Sequence, residues 1–152
     1  MKKFKFKLDK LLDYKDQLLD NELMTLAALN EEMNKVNAAI GKLRAERDRA
    51  AAEMREKGDS EEGVKPVDYQ IFFRYDASLK EEIRDLKTVA AHLTGQIEKQ
   101  IELIKKLRLE TKSLEVMKES KLAGYKKEII KAEELMIDEY VNTVRVMSAA
   151  RH

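Results

Sequence analysis

Lys57-Gly58-Asp59-Ser60-Glu61-Glu62-Gly63-Val64-Lys65-Pro66 is the one stretch of this 152-residue sequence that is typical of a chain reversal. It contains two of the five glycines and the only proline. Glycine is favoured just after the end of a helix, and proline is favoured in the first turn of the next one. The stretch therefore predicts a single reversal with a helix on each side.

Upstream of the reversal, apolar residues recur every seven positions in two rows that are offset by four. One row consists of Leu12, Leu19, Leu26, Met33, Ile40, Arg47 and Met54, and the other of Leu8, Lys15, Glu22, Leu29, Val36, Leu43 and Ala50. This spacing is typical of a coiled-coil seam. It predicts a helix over about residues 8–57, with a seam that Lys15, Glu22 and Arg47 interrupt.

Downstream, the apolar spacing resumes and continues almost to the end of the chain. The residues in this stripe are Leu79, Ile83, Leu86, Ala90, Leu93, Ile97, Ile104, Leu107, Leu114, Leu122, Tyr125, Ile129, Ala132, Met136, Tyr140, Val144 and Met147. The phase slips by one extra turn after Leu114, which is a stutter. Ser78 and Glu81 have the spacing of a capping box, which is either a chance match or a helix start.

Taken as a helix start, Ser78 divides the second half into a loop and short helix at about 58–77 and a second helix at about 79–148. The expected fold class is all-α: a long antiparallel two-helix coiled-coil hairpin, forming a single domain over residues 1–152. Pairing the end of the first helix, residue 57, with the start of the second, residue 79, sets the register. Leu8 then faces residue 128, and the second helix extends about 20 residues beyond the first. Leu26, Met33, Ile40 and Leu43 are then expected to pack against Leu86, Leu93, Ile97 and Leu107.

The composition excludes several classes of protein. Charged residues make up 39% of the chain and aromatic residues 6%, which favours long solvated helices over a β-rich fold. Thirty basic residues balance 29 acidic ones, so no strong field favours nucleic acid. There is no cysteine and no apolar stretch of about 20 residues that could insert into a membrane. We expect a cytoplasmic protein.

Motifs for catalysis are missing from the sequence. His92 and His152 are isolated, and no metal-binding or phosphate-binding motif is present. Carboxylates are abundant, but two exposed helices offer no pocket in which to perturb their pKa values. We therefore expect no enzymatic activity, no cofactor and no metal site.

Three clusters leave both a structural and a functional interpretation open. Four of the nine aromatic residues, Tyr69, Phe72, Phe73 and Tyr75, either close the turn end or form an exposed patch for another protein. Phe4, Phe6 and Leu8 either pack onto the opposite helix or form a free basic arm. The run Lys105-Lys106-Leu107-Arg108 is either a solvated face or a contact for an acidic partner.

Several segments, taken in order, resemble the bacterial flagellar export protein family FliJ. They are Phe4-x-Phe6-x-Leu8-x-x-Leu11-Leu12, the segment 66–83 with Phe72, Tyr75, Leu79 and Ile83, the run Glu110-Thr111-Lys112-Ser113-Leu114-Glu115, and Ile137-Asp138-Glu139-Tyr140. The length, the near-neutral charge and the two-helix layout are similar over essentially the whole chain.

This resemblance implies a stalk-like coiled coil, similar to the central stalk of rotary ATPases, in the flagellar type III export apparatus. Its partners would be the hexameric export ATPase, whose ring assembly it promotes, the export-gate membrane protein and export chaperones. The matching positions place gate binding on Phe72, Tyr75, Leu79 and Ile83, and ATPase-ring binding on Asp138, Glu139, Tyr140 and Val144. The protein would be a monomer in isolation, associated peripherally with the inner membrane at the flagellar base.

The competing interpretation is a self-assembling structural coiled coil, or an adaptor, unrelated to export. The long seam alone would be sufficient for such a protein. A simple dimeric coil, however, needs neither a reversal at 58–66 nor aromatic residues clustered beside it. These two features favour the export stalk.

Overall fold

Two long helices account for nearly all of the chain. A computed structural model describes residues 3–150, in which α1 spans Asp9–Asp59 and α2 spans Pro66–Ala150. The two helices pack against each other, and no strand occurs in this part of the chain. The prediction of an all-α helical hairpin is confirmed.

The reversal between the helices depends on Gly63 and Pro66. Gly63 has a φ of 68°, a left-handed conformation that glycine adopts without a steric penalty. Its N–H donates to the carbonyl of Ser60 at 3.1 Å. Pro66 is the first residue of α2, and the carboxylate of Asp68 accepts a hydrogen bond from the Lys65 N–H at 3.3 Å, which caps the helix. The predicted role of Pro66 holds, whereas the expectation that Gly58 ends the first helix is wrong: Gly58 lies inside α1, and Gly63 in the turn takes the left-handed conformation.

The predicted short helix near the reversal is wrong. Helix α2 continues without a break from Pro66 past Ser78, and the Ser78–Glu81 spacing does not mark a helix start. The physical reason is that no glycine or proline occurs between residues 67 and 94, so nothing in this segment interrupts the helix.

The predicted register is wrong for the same reason. Because the segment 67–77 belongs to α2 and not to the turn, each level of α1 faces an earlier part of α2 than expected. Leu8 was expected to face residue 128, whereas its neighbour Asp9 forms an ion pair with Lys118 at 2.7 Å.

The chain forms two compact units. The first combines the chain up to Leu19 with the chain from Lys106 onward, and the second is Asp20–Lys105. The core of the second unit contains Ile40, Ala50, Leu79, Ile83, Leu93 and Ile104. All six lie in the seam rows that the heptad spacing predicts.

The first unit has a smaller core made of Phe6, Leu12, Leu107 and Leu114, which are buried together with Thr111. The ring of Phe4 lies 5.5 Å from that of Tyr125, at an angle of 43°. Residues 4–8 therefore pack onto α2, which decides between the two interpretations left open for this segment.

Thr111 is a weak point of this core, and we predict that Thr111→Val stabilises the protein by about 1 kcal/mol. Its Oγ1 is buried without a hydrogen-bond partner, whereas valine fills nearly the same volume without a polar atom. The free energy of unfolding in urea measures the change. Thr94→Val is the control, because the Thr94 hydroxyl is exposed and donates to the Ala90 carbonyl. An unchanged or lowered stability for Thr111→Val would contradict the prediction.

Candidate interaction surfaces

The three polar residues that interrupt the seam of α1 each have a polar partner on α2. In the first unit, Lys15 Nζ lies 2.7 Å from a carboxylate oxygen of Glu110. In the second unit, the Gln100 side chain donates to the Glu22 carbonyl oxygen at 2.9 Å.

The third such pair is Arg47 and Asp76, also in the second unit, with 2.8 Å between guanidinium and carboxylate. The Arg47 guanidinium lowers the pKa of Asp76. In the same way, the ammonium group of Lys15 lowers the pKa of Glu110. Each polar residue that interrupts the apolar seam of α1 is therefore paired with a polar residue of α2, so that these positions are part of the helix contact.

The first candidate surface is the reversal patch, defined as Val67, Tyr69, Ile71, Phe73 and Tyr75 at the start of α2. All five side chains are exposed, although all five have substantial apolar area. The rings of Tyr69 and Phe73 stack with their centroids 6.3 Å apart. Val67, Ile71 and Tyr75 lie on one side of the helix, and Tyr69 and Phe73 lie on another. Exposed apolar side chains clustered in this way are typical of a protein-binding site.

Phe72 and Tyr75 lie at the inner border of this patch. Phe72 is half-buried and lines a groove with Met54 of α1. The Tyr75 hydroxyl donates to Glu46 at 2.7 Å, and Arg49 donates to the same carboxylate at 2.6 Å. Hydrogen bonds from Arg49 and Tyr75 hold the pKa of Glu46 at about 2. The bond to Glu46 also raises the pKa of Tyr75, so this phenol remains protonated to higher pH.

The four residues predicted for gate binding do not form one surface. Leu79 and Ile83 are only 5% and 6% exposed and belong to the core of the second unit. Phe72 and Tyr75 are accessible, as are Tyr69, Ile71 and Phe73. The sequence could not separate these two groups, because apolar residues at helical spacing are needed both in a seam and in a binding patch.

The second candidate surface is the C-terminal segment 130–150 of α2. Every residue of this segment is exposed, although it contains Met136, Ile137, Tyr140, Val144 and Met147. Asp138, Glu139, Tyr140 and Val144, predicted for ring binding, all lie here and are accessible. The second helix therefore has the expected uncovered extension. Ile129 is the last half-buried residue of α2, and every residue from 130 to 150 is exposed.

The described residues contain no group of three or more His, Cys, Asp or Glu side chains placed to hold a metal ion. Within residues 3–150, no helix combines the length and hydropathy that crossing a bilayer requires.

The fold and the two surfaces define the chain as an all-α helical hairpin with exposed apolar sites on α2. In a comparison with protein families, residues 4–148 match the flagellar FliJ protein family. The chain therefore belongs to the FliJ family, and this membership implies a component of the flagellar export apparatus. No curated protein and no solved structure matches the chain.

Proposed function

We propose that this chain is the stalk-like component of the flagellar type III export apparatus that binds the hexameric export ATPase and promotes assembly of its ring. We further propose that it contacts the export gate and escorts export chaperones. Family membership supports the place in export, and the exposed C-terminal segment supports the contact with the ATPase. The role is binding and assembly and not catalysis.

The observation that carries the ATPase proposal is that every residue from 130 to 150 is exposed. A helix with an apolar stripe gains most of its stability by burying that stripe against another surface. The segment also contains the acidic residues Glu133, Glu134, Asp138 and Glu139 against the basic residues Lys131 and Arg145. A ring bore lined by apolar and basic side chains would complement both features.

We predict that Tyr140→Asp combined with Val144→Asp weakens binding to the export ATPase by about 2 kcal/mol or more, the scale of interface hot spots. The carboxylates would have to be buried at an apolar contact. Calorimetric titration of the full chain into assembled ATPase measures the affinity. Asn142→Asp is the matched control, because it adds a charge at another exposed position of the same segment. Unchanged affinity of the double variant would exclude this stripe as the binding surface.

For the export gate, we propose the reversal patch together with Phe72. Leu79 and Ile83, also named by the family resemblance, would contribute by packing this part of α2 against α1, because both are buried. A gate contact at the reversal patch would bring the chain to the inner membrane at the flagellar base as a peripheral component.

We predict that Phe72→Ala and Tyr75→Ala each weaken gate binding by about 1 to 3 kcal/mol and leave the far-UV circular dichroism nearly unchanged. Both side chains are accessible, and Tyr75 makes only a surface hydrogen bond within the chain. Leu79→Ala is the contrasting control, which should lower stability because Leu79 is a core residue. Unfolding of either aromatic variant would assign its ring to the core.

A pull-down from motile cells tests the wider assignment, including the chaperones. Recovery of the export ATPase, the gate protein and chaperones by the wild-type chain supports it. Recovery of none of them would favour a structural coiled coil unrelated to export.

A further inference from the structure

A groove of about 670 Å³ lies between the N-terminal arm and α2, within the first unit. The N-terminal arm is the segment 3–8, which precedes α1. The apolar side chains that line the groove include Phe4, Phe6, Met117 and Tyr125. Ligand pockets in proteins have volumes of about 300 to 1,000 Å³ and combine an apolar lining with a few polar groups. The groove therefore has the size of a binding site.

Apolar and basic residues alternate along the N-terminal arm. The apolar ones are buried or half-buried, namely Phe4, Phe6 and Leu8. The basic ones are exposed, namely Lys3, Lys5 and Lys7. A non-helical segment that lies along another element turns its side chains alternately toward it and away from it. The rings therefore anchor the arm on α2, and the ammonium groups remain accessible to a partner.

Positive charge predominates in the lining of the groove. Three ammonium groups and one carboxylate belong to it: Lys5, Lys7, Lys121 and Glu128. The acidic residue that follows the arm, Asp9, forms an ion pair with Lys118 at 2.7 Å. An anion that enters the groove would therefore meet more positive than negative charge.

The charge around the groove also differs from that of the rest of the chain. Residues 3–10 contain four lysines and one aspartate, and residues 117–131 contain five lysines and two glutamates. The net charge of these two segments together is +6, whereas that of the whole chain is +1, so the remaining residues have a net charge of −5. A local excess of one sign attracts a partner of the opposite sign.

Gly124 provides open space in the groove. Glycine is unfavourable in the interior of a helix, yet Gly124 lies well inside α2. A Cβ atom added at Gly124 would meet no packed neighbour within 4 Å, so the packing of the chain does not require a glycine here. Because Gly124 lines the groove, the missing side chain leaves room for a partner to approach the helix closely.

We propose that the groove binds an acidic segment of another protein that also has an apolar side chain. The carboxylates of this segment pair with Lys5, Lys7 and Lys121, and its apolar side chain fills the space beside Gly124. Charge-assisted hydrogen bonds and the burial of apolar surface then act together. The proposal goes beyond the proposed function and does not depend on it, because the groove lies outside both surfaces described above.

The same features disfavour a membrane and a nucleic acid as the partner. A membrane-binding arm inserts its apolar side chains into the bilayer, whereas Phe6 is only 8% exposed. A phosphate backbone would gain from the lysines, but it would approach Glu128 and leave the apolar lining without a counterpart. An acidic protein segment with an apolar side chain matches both the charge and the apolar lining.

Titration of a dye-labelled random copolymer of glutamate and tyrosine with the full chain, followed by fluorescence anisotropy, tests the proposal. We expect tighter binding than to polyglutamate, because only the copolymer has rings to fill the groove. Lys121→Glu should weaken copolymer binding at least about tenfold. Lys87→Glu is the matched control, since it makes the same change of charge at an exposed position of α2 outside the groove. No binding by the wild-type chain, or equal weakening by the two variants, would overturn the proposal.

Gly124→Leu tests the groove itself and not only its charge. Leucine is favourable in a helix, so the variant should fold, but its side chain would occupy the open space. We expect copolymer binding to weaken at least about tenfold. Gly41→Leu is the matched control, because Gly41 has similarly open surroundings but lies in α1, outside the groove. Unchanged binding by Gly124→Leu would mean that the copolymer does not enter the groove, which contradicts the proposal.

Duplex DNA and vesicles that contain phosphatidylserine complete the test at the same ionic strength. We expect both to bind more weakly than the copolymer. Tighter binding of either one, lost in Lys121→Glu, would assign the groove to that class of partner and overturn the proposal. Because none of these titrations contains the export ATPase or the gate protein, their outcome is independent of the proposed function.

Discussion

If the chain stimulates the export ATPase by promoting ring assembly, as proposed, deletion of residues 133–152 is expected to abolish that stimulation while the helical hairpin remains folded. The described part of the deleted segment, up to residue 150, contains no buried or half-buried side chain. The deletion therefore removes no buried residue of either unit, and the contact between Phe4 and Tyr125 is retained. What it removes is the exposed stripe that includes Met136, Tyr140 and Val144, together with Asp138 and Glu139.

The measurement is the ATPase rate against enzyme concentration with the full-length and the truncated chain. The chain contains no phosphate-binding motif, so we expect stimulation to act through ring assembly and to be largest at low ATPase concentration. The control is urea unfolding of the truncated chain, which should show a stability close to that of the full chain. Full stimulation by the truncated chain would exclude the C-terminal segment and transfer the proposal to residues 4–12.

Replacement of Ile40 by aspartate is expected to lower the free energy of unfolding by about 3 to 5 kcal/mol. Ile40 is 7% exposed in the core of the second unit, where a carboxylate would lose its hydration without gaining a partner. Helicity should fall as well, because the pairing of the helices supports each of them.

Chemical unfolding followed by circular dichroism at 222 nm measures this effect. Met24→Asp is the matched control, because Met24 lies on the same helix and in the same unit but is 72% exposed. It should change the free energy of unfolding by less than about 0.5 kcal/mol. An unchanged melting curve for Ile40→Asp would mean that the seam is assigned to the wrong face of α1.

The sequence by itself determined the all-α fold class of this protein and the approximate position of its reversal. The heptad spacing of Leu12, Ile40 and Leu93 encodes helices and their buried faces, because a helix repeats its side-chain direction at that interval. The left-handed glycine and the helix-starting proline encode the turn through local backbone geometry alone. The aromatic cluster and the C-terminal apolar stripe could also be located in the sequence. Which of their residues are buried could not be predicted, because exposed and buried apolar residues recur at the same spacing.

Only the tertiary structure decided which levels of the two helices meet. A heptad seam is nearly degenerate, since moving one helix by a heptad again places apolar residues against apolar residues. The degeneracy is broken by the matched polar pairs, such as Lys15 with Glu110 and Arg47 with Asp76, because a partly buried charge loses hydration and needs a partner to offset that loss. The register in turn buries Leu79 and Ile83 while Phe73 remains exposed, a distinction that depends on what lies across the seam and not on the residues themselves.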